Sequence, residues 1–132
     1  MEIVSFVYCD DVIENNSNHS STIIAPMQMF LPVGLPSNYS FSISFGLYGL
    51  NKLGNDEIEI SFLDPNRNCI AENKMIVPSL PDPIKQSEQP VGAQINIAFR
   101  NVVLNYEGKH YTVIKVNGEK LGEYPIHVNL RK

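Results

Sequence analysis

Tyr39, Phe41, Ile43, Phe45 and Leu47 are all apolar, and Ser40, Ser42 and Ser44 between them are polar. An extended backbone puts alternate side chains on opposite sides, so this run predicts a strand with one face in a core and the other turned away. The same alternation returns in Ile58, Ile60 and Phe62 against Glu57, Glu59 and Ser61, and the turn residues Gly54-Asn55-Asp56 separate the two runs. The two are expected to pair as neighbours. Ile95, Ile97 and Phe99, and later Ile126, Val128 and Leu130, follow the same rule. Tyr111 to Val116 leads into Asn117-Gly118, a dipeptide suited to a type I′ hairpin because both central residues must take positive φ. Asp64-Pro65-Asn66-Arg67-Asn68 predicts a further turn, with Pro fixing φ and Asn tolerating the left-handed region, and a strand then runs through Met75 to Val77. Ile3 to Val12 and Thr22 to Leu31 add two strands around the polar run from Glu14 to Ser21, which reads as a loop.

No window of helical length shows three- and four-residue apolar spacing free of Pro, Gly or β-branched interruption. The expected class is therefore all-β. Seven to eight short strands suit an antiparallel two-sheet β-sandwich of immunoglobulin-like arrangement, without the Cys-Trp-Cys core of antibody domains because the chain has no Trp. A closed barrel is the second choice. The length of 132 residues fits one domain spanning 1–132, and 43% hydrophobic with 18% charged residues fits a core that forms unaided. Between Val77 and Gly92, Pro78, Pro81, Pro83 and Pro90 remove backbone donors and predict a long crossover.

A net charge of -4 with ten Lys and Arg gives too few cations for broad contact with phosphates, so no nucleic-acid partner is expected. The cluster Lys109, Lys115, Lys120, Arg131 and Lys132 reads as a solvated sheet face and tail. The N-terminus lacks the charge and apolar pattern of a leader, and no stretch approaches the roughly 18 apolar residues of a spanning helix. A cytoplasmic protein with no membrane partner is expected, and the sequons at Asn15, Asn18 and Asn38 are read as chance. Cys9 and Cys69 are expected to be reduced thiols.

The sequence holds no nucleophile elbow, phosphate-cradling Gly loop, zinc-protease helix or dinucleotide fingerprint, so no enzyme activity and no cofactor are expected. Cys9, Asp10, Asp11 and His19 are weak candidates for a metal cluster or a thiol–imidazole pair, because adjacent carboxylates on a strand point to opposite sides. Asp56, Glu57, Glu59 and Asp64 lack the spacing of a calcium loop, and His110 and His127 read as isolated strand histidines, exposed or hydrogen-bonded.

The segment Ile23 to Pro36 is apolar on both parities and broken by Pro26, Pro32 and Pro36. It either covers the core or presents Met27, Met29, Phe30 and Leu35 to a partner, since apolar side chains beside rigid Pro lose little entropy on docking. The expected function is a non-catalytic protein-binding module, an accessory or inhibitory factor. It would act through 26–36 or through the crossover 78–90 with Pro81, Asp82 and Pro83; self-association is a related outcome. The alternative is a small-molecule or metal-binding sandwich using Cys9, Asp10, Asp11 and His19.

Val7-Tyr8-Cys9-Asp10-Asp11, Ile24-Ala25-Pro26, Phe62-Leu63-Asp64-Pro65-Asn66, Pro81-Asp82-Pro83, and Tyr111 to Val116 followed by Asn117-Gly118-Glu119-Lys120-Leu121-Gly122-Glu123 carry a family likeness in their turn and strand signatures. With these the chain resembles a family of small, uncharacterised bacterial proteins over nearly its whole length. The resemblance implies an immunoglobulin-like β-sandwich with no assigned activity and brings no catalytic residue. Positions 15 to 21 depart from it, where a shorter Gly-containing turn would be expected.

Overall fold

The computed structural model describes residues 1–15, 20–51, 53–77 and 88–131. Its strands are β1 (Glu2–Asn15), β2 (Ser20–Met27), β3 (Met29–Phe30), β4 (Ser37–Tyr48), β5 (Glu57–Leu63), β6 (Cys69–Ile76), β7 (Gly92–Leu104), β8 (Gly108–Val116) and β9 (Glu119–Val128). They form a four-stranded sheet ordered β2-β1-β4-β7 and a five-stranded sheet ordered β3-β9-β8-β5-β6. The sequences β1-β4-β7 and β9-β8-β5 match the A-B-E and G-F-C neighbours of an immunoglobulin domain, so the expected all-β sandwich of that type is observed. Among the described residues no helix is long and apolar enough to cross a membrane.

Among the described residues nine strands replace the expected seven to eight, because the chain between 22 and 31 changes sheets. β2 pairs with β1 in one sheet, whereas β3 runs parallel to β9 in the other, with Met29 beside His127 and Phe30 beside Val128. This short parallel pair is the exception to an otherwise antiparallel ladder. Pro26 is tolerated because β2 is an edge strand, where a missing donor leaves no neighbour unpaired.

β4 and β5 do not pair, contrary to the sequence expectation. Each carries an apolar row too continuous to leave uncovered, and the two rows meet face to face across the core instead. Phe41 and Phe62 bring their ring centroids to 5.0 Å. The connection between them is tied down where Gly49 and Leu50 donate to the Val91 carbonyl (both 3.0 Å) and Asn51 N–H donates to Asp56 Oδ2 (3.1 Å). Phe30, Phe41, Phe45, Phe62, Ile43, Ile58 and Ile60 are all 0% exposed and make the centre of the core.

Tyr8 reaches across from the four-stranded sheet. Its single hydroxyl proton goes to the Tyr124 carbonyl (2.6 Å), which can only accept, and the Thr112 hydroxyl lies 2.7 Å away on its other side. Burial pushes the Tyr8 phenol well above its ordinary value, so it stays a neutral donor. Phe6 stacks on Tyr124 at 4.1 Å beside it. This polar and aromatic bolt joins the sheets in a protein whose cysteines are both free thiols.

The Asn117-Gly118 hairpin is as expected: φ is 52° and 82° at these positions, and Val116 faces Glu119. At the β5–β6 turn the left-handed residue is Arg67 (φ 65°), not an Asn as expected. Asp64 makes this tolerable, because its Oδ1 accepts from the N–H groups of Asn66 and Asn68 (both 2.9 Å) and its carbonyl accepts from Arg67 N–H (2.9 Å). His110 is wholly buried, neither exposed nor fully hydrogen-bonded: Nδ1 lies 3.1 Å from the Gly108 carbonyl, and Nε2 has no hydrogen-bond partner. Its ring stacks on Phe62 at 5.6 Å.

Candidate functional site

Phe30 is excluded from the expected binding set, since it lies fully buried against Tyr39, Phe41 and Tyr8. Met27 and Leu35 are partly buried and pack against the core, so they too serve mainly as its cover. Met29 is 45% exposed, and Leu31 (38%) and Val33 (79%) continue its row at every second residue. The residues between them, Phe30 and Pro32, are buried. Period-two geometry explains the split: the Phe30 and Pro32 carbonyls accept from Asn129 and Arg131 (3.0 and 2.9 Å), which fixes the chain along β9 and turns the odd residues outward. Pro81, Asp82, Pro83 and His19 lie outside the described residues.

The Cys9, Asp10 and Asp11 group is not brought together. Cys9 is 0% exposed with Sγ 3.6 Å from the Ser42 carbonyl, and burial, with Asp11 and Asp10 adding to it, pushes its thiol up and away from the reactive thiolate. Asp11 accepts from Val12 N–H (2.8 Å) and lies 4.0 Å from Arg100 Nη2. Among the described residues no three His, Cys, Asp or Glu side chains converge to hold a metal.

The two outer faces of the sandwich differ in cover. β1 leaves β4 after Cys9, yet Glu14 and Ser21 both accept from Asn96 Nδ2 (3.1 and 3.0 Å), far back along β7. The distal part of the β1–β2 hairpin therefore folds back over the outer face of the four-stranded sheet, with Ala25 at φ 53° where the ladder is interrupted. Below it Ser44 donates to Asn96 Oδ1 (2.6 Å) and accepts from Gln94, and Ser42 and Ser44 are only 2% and 1% exposed.

Among the described residues, the outer face of the five-stranded sheet has no such cover. Met29, His127 and Lys109 follow one another across it in register, and Tyr111, Val113 and Lys115 continue along β8. Arg67 swings over from the β5–β6 turn, lies 4.9 Å above the Tyr111 ring, and donates to Glu123 Oε1. Lys120 Nζ donates to the same oxygen (3.2 Å), and these cations, Arg67 first, hold the Glu123 carboxyl below its ordinary value. Lys109 Nζ lies 5.8 Å from the Tyr111 centroid. The arrangement offers cations, an aromatic face and exposed apolar side chains. The sequence expectation missed Arg67, Tyr111, Glu123 and the role of Val113, although the hairpin rule alone places Lys115 opposite Lys120.

Strand order, the sheet switch at β3 and the inter-sheet bolt define an immunoglobulin-like β-sandwich with one covered and one open outer face. The sequence model of the "Family of unknown function (DUF6941)" matches residues 4–129, and the chain belongs to that family. Among curated proteins none matches it in sequence. It is similar in structure to an immunoglobulin-like protein from Pseudomonas aeruginosa, with 12% identity over 97% of this chain and 95% of that one, at a TM-score of 0.48. A β-glucosidase from Listeria innocua is similar at 8% identity and a TM-score of 0.46, over 95% of this chain and 16% of the enzyme.

Proposed function

We propose that this protein is a non-catalytic protein-binding module whose partner docks on the open outer face of the five-stranded sheet, beginning at its β3 edge. The observation that carries this reading is the exposed row Met29, Leu31 and Val33, held out from a backbone anchored by buried Phe30 and Pro32. A pre-ordered apolar row loses little freedom when covered, so more of its burial energy goes into binding.

The test is the triple substitution Met29→Ser, Leu31→Ser and Val33→Ser, with Phe30 left intact. The variant should keep the wild-type unfolding midpoint within about 0.5 kcal/mol of stability, as exposed substitutions do. It should also lose a stoichiometric partner that the wild type captures from its native lysate. Equal capture by both proteins, or a wild-type dimer that the substitutions dissolve, would replace this reading, the second outcome with self-association.

A further inference from the structure

The open face carries a depression of about 280 Å³ lined by Ser61, Leu63, Arg67, Val113, Lys115 and Lys120. Its floor is largely apolar although it belongs to the outward side of the sheet: Val113 is only 7% exposed and faces Ser61 on β5, and Leu63, which faces Tyr111, is its diagonal neighbour. Its rim is cationic in a chain whose net charge is -4. Lys115 faces Glu59 of β5 on one side and Lys120 of β9 on the other, at the bulge of the β8–β9 pair, and the Lys–Lys pairing costs stability because like charges face each other. A chain specified for stability alone would place an opposite charge there, and sites that break a local rule in this way are where function is expected.

Glu123 shows what the rim holds. Its carboxylate takes hydrogen bonds from both Arg67 and Lys120, while Lys115 makes no ion pair among the described residues. Arg67 and Lys120 keep about half of their side chains exposed (52% and 50%), so water screens these pairs and an incoming carboxylate displaces little. On the far side Glu59 stands between Lys74 and Lys115 in register, and Glu72 stands opposite Ser61, so carboxylates border the basic rim of the depression toward β6.

We infer that this depression takes an acidic segment of a protein partner, with a carboxylate on Arg67, Lys115 and Lys120 and a neighbouring apolar side chain on the Leu63–Val113 floor. The inference rests on the protein-binding reading above and assigns the chemistry of its partner. The open, shallow shape suits a side chain presented by a peptide, because a bare small anion would keep its hydration there and gain only screened attraction.

The experiment is fluorescence polarisation with a labelled, end-capped peptide of alternating glutamate and leucine. A peptide with glutamine in place of glutamate and inorganic phosphate as a competitor serve as its comparison arms. The acidic peptide should bind, weaken with salt, and shift the backbone amides of Leu63 and Val113. The Lys115→Ala, Lys120→Ala double variant should bind it about tenfold more weakly, as loss of charge complementarity predicts. Equal binding by that variant, or no binding of the acidic peptide to the wild type, overturns the inference. Full displacement by phosphate at the peptide's own concentration also overturns it, in favour of a bare anion site. Equal binding of the glutamine peptide, with shifts at Met29 and Leu31, overturns the acidic specificity and leaves the protein-binding reading standing. If the triple Ser variant of the β3 edge keeps both its lysate partner and its affinity for the acidic peptide, the apolar edge fails and the basic depression stands alone.

Discussion

The two outer faces of this sandwich start from similar sequence material and end differently. Both are the polar sides of alternating strands, Ser42 and Ser44 in one sheet and Ser61 and Lys115 in the other. The first is roofed by its own hairpin, and its Ser, Asn, Gln and Glu side chains bond one another. The second is left open by the described residues, with a Lys facing a Lys over a largely apolar floor. A buried polar group must find a partner inside the molecule, whereas an exposed one is free to look outside it. The covered face is thus structure, and the open face is where recognition is to be sought.

This contrast can be broken from the interior outward. Phe62→Ala, which removes a ring packed against Phe41, Phe30 and His110, should cost about 3–5 kcal/mol in urea unfolding. A loss under about 1 kcal/mol would mean that the core is not packed as described. Tyr8→Phe removes the donor to the Tyr124 carbonyl and leaves that carbonyl and Thr112 with one partner fewer, an expected loss of about 1–3 kcal/mol by the same measurement.

His110 gives the interior a pH dependence of its own. Burial lowers its pKa below the ordinary 6.5, against smaller opposing effects of the Gly108 carbonyl and Asp64. The unfolded chain then binds a proton more readily than the folded one, so stability is retained above about pH 6.5 and lost as pH falls below it toward the folded value. The stability difference between wild type and His110→Leu should shift in the variant's favour over that window, measured by urea midpoints at a series of pH values. A difference that stays flat would show that His110 does not titrate as a buried base.

On the covered face, Asn96→Ala should cost about 1 kcal/mol and raise hydrogen exchange in the distal β1–β2 hairpin. On the open face, Lys115→Glu should leave stability unchanged to within a few tenths of a kcal/mol, because the opposite-charge pair it makes with Lys120 is offset by the like-charge pair it makes with Glu59. A loss of stability there would assign Lys115 a structural role and erase the contrast between the faces.

The interior was readable because period two is a direct imprint of burial: Phe41, Ile43, Phe45, Ile58, Ile60 and Phe62 all point where their spacing says. The hairpin at Asn117-Gly118 was readable because its φ values admit few residue pairs. Pairing was not, since apolar rows such as those of β4 and β5 satisfy the same pattern side by side or face to face. Phe30 misled because period two does not say which parity faces inward; buried Phe30 and Pro32 settle it, leaving Met29, Leu31 and Val33 outside. The roof over Ser42 and Ser44 depends on a bend near Ala25, a residue with no turn signature, and the position of Arg67 depends on hydrogen bonds made by Asp64. Lys115 facing Lys120 was legible from the hairpin, but its meaning needed the floor of Leu63 and Val113 beneath it.

The most direct measurement is a map of backbone amide shifts in the isotopically labelled protein on titration with the partner it captures. The account predicts shifts concentrated at Met29, Leu63, Tyr111, Val113 and Lys115, with the amides of Ser42, Ser44 and Asn96 unmoved. Shifts concentrated on the roofed face or in the β1–β2 hairpin, with the five-stranded sheet silent, would contradict it.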